Sequence, residues 1–140
     1  MRKKKQVLSL NFDVDFLLLG IICSHKDYRL CYEINHCLGI DLKREADLDI
    51  IGKNQQKSEF ALFGHQVDEE KNLYVFSNKN GISFLIPEQH QVDYFMMLKG
   101  AGYRKDHAEE VRTKLKASKI IMGVYHIDPL TLKSKEHLIF

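Results

Sequence analysis

The sequence predicts an α+β domain: an antiparallel meander sheet of four to six strands packed against about four helices. Three observations lead there. Between Asp47 and Ile86, short runs rich in β-branched and aromatic residues alternate with polar turns. On both sides of that stretch, apolar residues recur at helical spacing or form runs suited to a buried helix. A length of 140 residues with 44% hydrophobic content supplies one core rather than two. The chain therefore reads as a single domain, 1–140, with a short basic tail at 1–5.

Gln6 to Leu10 alternates as a short strand, and Asp13 is placed to cap a helix running to about Ser24. That helix is apolar on nearly every side, which assigns it to the centre of the core. A second helix is expected from about Lys26 to Leu38. Leu30, Ile34, Cys37 and Leu38 fall on one face, and Gly39 follows where a helix end favours positive φ. Strands are expected at Asp47 to Ile51, Phe60 to Gln66, Leu73 to Ser77 and Ile82 to Ile86. Asn80-Gly81 between the last two is a hairpin signal. Pro87 suits the first position of a helix reaching Lys99, where Gly100-Ala101-Gly102 stops it. A charged helix from about Lys105 to Ala117 and a last strand at Ile120 to Tyr125 complete the order.

Composition narrows the function. A net charge of +2 is well short of a dedicated nucleic-acid binder. Arg2 to Lys5 followed by the apolar run Phe16 to Cys23 imitates a signal peptide. Asp13 and Asp15 interrupt it, however, and Ile22 is too large for a cleavage site before Cys23. The run is also far shorter than the roughly 20 residues that span a bilayer. A cytoplasmic protein without a membrane partner is the expectation. Cys23, Cys31 and Cys37 are odd in number and form no disulfide framework. With His25 and His36 they match no common zinc spacing, so no metal or cofactor is expected.

The segment that draws most attention is Ile86-Pro87-Glu88-Gln89-His90-Gln91-Val92-Asp93-Tyr94. As a helix beginning at Pro87, it puts Glu88 in the first turn, where the dipole favours a carboxylate by roughly 0.3–1 kcal/mol. Gln89, Asp93 and Met97 then form one stripe, and Asp93 is the only charge from Val92 to Leu98. Such a helix is either covered on both sides or offers a surface to a partner. In the first case Asp93 accepts bonds from a loop or a cation and Tyr94 is core. In the second, Glu88, Asp93, Tyr94 and Met97 form a recognition surface. Glu88 and Asp93 lie about 140° apart around the helix, poor geometry for a shared proton. No catalytic residues are assigned.

These residues carry a resemblance. Ile86, Pro87, Glu88, Val92, Asp93 and Tyr94 are similar to the signature of a bacterial family named for its motif, IPExxxVDY. The resemblance covers the motif specifically and the order of elements loosely, and it brings no catalytic residues to carry over.

The expected function is a non-enzymatic protein-interaction or accessory module using the apolar helix after Pro87, with a protein partner or a second copy. The alternative is an RNA-binding accessory acting through the basic segment 99–119 and the N-terminal tail. Arg112, Lys116 and Lys119 share a helical face there, but interleaved acids and the lack of a stacking aromatic favour a solvated surface.

Overall fold

The computed structural model describes residues 15–52 and 54–140. Six strands make one antiparallel sheet: β1 (Phe16–Ile22), β2 (Lys43–Ile51), β3 (Lys57–Gln66), β4 (Asn72–Ser77), β5 (Tyr94–Lys99) and β6 (Gly123–Ile127). Their spatial order is β2-β3-β4-β5-β1-β6. Two α-helices, α1 (Asp27–Leu38) and α2 (Lys105–Leu115), share one face. The opposite face is covered by the segment between β4 and β5 and by the residues after β6.

The α+β class therefore holds, with two α-helices among the described residues where about four were expected. Two predicted helices are strands. The apolar run assigned to a helix from Asp13 to Ser24 contains β1, a central strand between β5 and β6. Asp13 itself, the Gln6 to Leu10 strand and the basic tail lie outside the described residues. The predicted helix from Pro87 to Lys99 is a single 3-10 turn, Pro87–Gln89, followed by β5. Both errors share a physical cause. A strand covered on both faces loses its polar–apolar alternation and reads as an unbroken apolar run, which periodicity cannot separate from a buried helix.

The cores confirm the two-sided burial. Leu19, Ile21, Met96 and Leu98 point toward the helices with Leu30, Ile34, Ala108 and Leu115. Phe95 and Met97 point the other way, among Phe76, Leu85, Ile86 and Val92. Met97 is thus fully buried inside the sheet instead of lying on a helix stripe.

The other elements follow their sequence signals more closely. In α1 the Leu30, Ile34, Cys37, Leu38 face packs on the sheet, and Gly39 closes the helix at φ 66°. β2 starts four residues before its predicted beginning. The Ile82 to Ile86 run forms only an isolated bridge between Lys79 and Phe84, so the expected Asn80-Gly81 hairpin is replaced by an irregular loop. β6 begins at Gly123, after Ile121 has entered the helix-side core.

Candidate functional site

The motif is the junction at which the two faces of the sheet are tied. Its organiser is Asn78, at the end of β4, which is fully buried. The Asn78 carboxamide donates to the carbonyls of Gln89 and Val92, both at 2.9 Å, and accepts from the Ile86 N–H at 2.7 Å. Its main chain adds a donation to Asp93 O and an acceptance from Leu85 N–H. A buried side-chain amide with its donors and acceptor engaged fixes the loop in one conformation. Sequence reasoning missed Asn78 because an Asn before Lys-Asn-Gly reads as turn chemistry. Only its burial distinguishes it.

Each motif residue then has a geometric role. Ile86 and Val92 fill the core opposite the helices. Glu88 accepts from the Ser134 N–H at 2.7 Å and the Ser134 hydroxyl at 3.0 Å, pinning the chain that follows β6. Burial works to raise the Glu88 pKa, but these donors and nearby main-chain N–H groups outweigh it and hold the carboxyl below its ordinary value. Asp93 accepts from the Cys23 N–H at 2.8 Å and pairs with the Lys79 ammonium at 2.8 Å. The Tyr94 hydroxyl donates to the His25 carbonyl at 2.6 Å, and burial pushes its pKa well up. Glu88 therefore faces the chain after β6, while Asp93 and Tyr94 both hold the turn at Cys23 to His25, and with Met97 in the core the four do not form one recognition surface.

Arg112, Lys116 and Lys119 are not assembled as a unit either. Arg112 Nε donates to the Val124 carbonyl at 2.8 Å, and its guanidinium pairs with Glu109 at 3.2 Å. Lys116 is the residue that ends α2, and Lys119 lies beyond it in the following turn.

A concave surface lies elsewhere. A groove of about 860 Å³ runs between α2 and the segment leaving β6. Phe16, Leu18, Ile127 and Pro129 supply apolar walls, while Asp106, Glu109, Asp128, Lys105 and His126 supply the charged and titratable groups. Glu109 and His126 Nε2 approach at 2.7 Å, and this bond, with help from Arg112, holds the Glu109 carboxyl below its ordinary pKa. Among the described residues, the lining contains no serine, threonine or cysteine beside that pair.

Strand register shows why the groove exists. Gly100 N–H donates to Asp15 O, so the odd-numbered residues of β1 turn their main chain toward β5 and the even-numbered ones toward β6. Leu18 faces Ile127, so the next pair would set Phe16 against Pro129. Proline has no N–H to donate, and the chain leaves the sheet there in a 3-10 turn. The Phe16 main chain, paired with Lys99 of β5 on one side, consequently opens onto the groove on the other without a β6 partner among the described residues.

No family model matches this chain, and no curated protein matches it. Among the described residues, no helix is long and apolar enough to cross a membrane.

Proposed function

We propose that this chain is a non-enzymatic protein-interaction module whose docking surface is the groove between α2 and the end of β6. The occupant it fits is an extended segment of a partner protein, carrying a large apolar side chain next to a lysine or arginine. What carries the reading is the Phe16 main chain, directed into an apolar-walled groove at the point where Pro129 ends the β6 ladder. An extended segment entering there adds main-chain hydrogen bonds to β1 and continues the line of β6. Asp106, Glu109 and Asp128 outnumber Lys105 around the walls, which favours a basic residue over an acidic one. Leu130, 59% exposed, adds apolar surface at the rim.

This moves the interaction surface away from the segment after Pro87, whose apolar side chains are used inside the sheet. The motif then acts in support: Glu88 and Asp93 hold the segments that cover the sheet, so the groove keeps its shape.

The test is selection of binders from a library of displayed random peptides, followed by hydrogen exchange on the complex. Enrichment of basic–apolar sequences, slowed exchange around Phe16 and α2, and loss of binding in Leu130→Asp support the reading. Peptides that slow exchange elsewhere, or that bind Leu130→Asp unchanged, overturn it. Capture from lysate that disappears on nuclease treatment would shift the assignment to RNA.

A further inference from the structure

The two edges of the sheet are protected in different ways. β2 carries Lys43, Arg44, Glu45, Asp47 and Asp49, and its pairing with β3 is broken by a bulge between Glu45 and Leu48. Charges and bulges are common devices against edge-to-edge association. β6 has neither: Gly-Val-Tyr-His-Ile contains no Asp, Glu, Lys or Arg, and its five residues pair with β1 in unbroken register. Tyr125 is 51% exposed on it, and Met122, just before it, is 72% exposed.

Register also identifies the outward main-chain groups of β6. The even-numbered residues of β1 turn toward β6, so Gly20 bonds Tyr125 and Leu18 bonds Ile127. Val124 and His126 therefore direct their N–H and C=O groups away from β1. An antiparallel β6 of a second copy matches this edge in one self-complementary register. Val124 bonds His126 of the other copy, His126 bonds its Val124, and the two Tyr125 side chains face each other on the two-fold axis. Directly opposed aromatic residues favour such a pair.

One side chain stands in the way. Arg112 reaches from α2 to the outward carbonyl of Val124 at 2.8 Å. Glu109 holds its guanidinium, and His126 Nε2 holds Glu109 at 2.7 Å, so the chain of contacts closes on β6 itself. With the Val124 carbonyl taken in both copies, half of the hydrogen bonds of the self-paired register are lost.

We propose that Arg112 guards the β6 edge, and that the partner it excludes is a second copy of this chain paired through β6. The Arg112–Val124 contact itself lies outside the groove lining, although Glu109 and His126, which hold the guanidinium, belong to both.

The experiment is sedimentation velocity of the full chain over a wide concentration range, comparing wild type with Arg112→Met. The methionine keeps an apolar stem but cannot occupy the carbonyl. Self-association about tenfold tighter or more in Arg112→Met is expected, with reversal on adding Tyr125→Lys, which opposes two like charges on the axis. A folded Arg112→Met that remains as monomeric as wild type overturns the proposal, as does a dimer indifferent to Tyr125→Lys. Should Arg112→Met fold poorly, oxidative cross-linking through Tyr125→Cys decides the matter. Wild-type Arg112 should suppress the cross-link and Arg112→Lys, which lacks Nε, should raise it. Equal cross-linking in both backgrounds counts against the guard.

Discussion

The Asp93 carboxylate holds the main-chain N–H of Cys23 at 2.8 Å, joining the start of β5 to the end of β1 across 70 residues of sequence. Cys23 is buried, so its N–H has no solvent to turn to. The other Asp93 oxygen pairs with Lys79, just past β4. One side chain thus ties the ends of three neighbouring strands.

Asp93→Ala leaves the Cys23 N–H without its acceptor and should lower stability by about 1–3 kcal/mol. Lys79→Ala removes only a partly exposed ion pair and should cost less than about 1 kcal/mol. Urea denaturation of both variants checks this. Equal losses would mean that the ion pair, and not the N–H contact, is the important half.

Asn78 offers a sharper case. Asn78→Asp keeps the shape but cannot donate to Gln89 O and Val92 O, and it buries a charge between them. A loss of at least about 3 kcal/mol is expected, larger than for any exposed polar residue of the same loop. Thermal melts of Asn78→Asp beside Gln91→Ala provide the comparison.

Glu88 should make stability depend on acid. Its folded pKa lies below the ordinary value of 4.5, so its contribution is fully present above 4.5 and is lost as pH falls through the folded value. The difference in melting temperature between wild type and Glu88→Gln should be widest near neutrality and shrink below pH 4.5. A gap that stays constant through acid would show that Ser134 gains nothing from the charge.

Gly100 sits at φ 131°, and a Cβ there would lie 2.0 Å from the Glu70 carbonyl oxygen. Backbone cannot yield as a side chain does, so Gly100→Ala should cost at least about 2 kcal/mol. Chemical denaturation reads the cost directly.

Thiol reactivity should divide by burial. Burial, with Asp27 adding to it and Arg44 partly offsetting it, pushes the Cys31 thiol up to about 12. Burial also raises Cys23, against the opposing contact from His25. At mildly alkaline pH, alkylation should reach the half-buried Cys37 first and the other two only on unfolding. Mass mapping of the modified peptides decides it.

The sequence by itself determined what local chemistry determines. The Leu30, Ile34, Cys37, Leu38 face and Gly39 specify α1, and the short runs rich in branched and aromatic residues between polar turns at Phe60 to Gln66 and Leu73 to Ser77 specify β3 and β4. It also singled out the Ile86 to Tyr94 motif as a junction where carboxylates stand among apolar residues. The tertiary structure alone decided that Phe16 to Ile22 and Tyr94 to Lys99 are strands, because burial on both faces erases the period that names a strand. It alone placed Asn78 in the core and brought Glu88 to Ser134 and Asp93 to Cys23. It also ended the β1–β6 ladder at Leu18 and Ile127, just before Pro129 turns the chain out of the sheet. Those pairings depend on strand order and register, which arise from contacts between distant segments and leave no local periodicity to read.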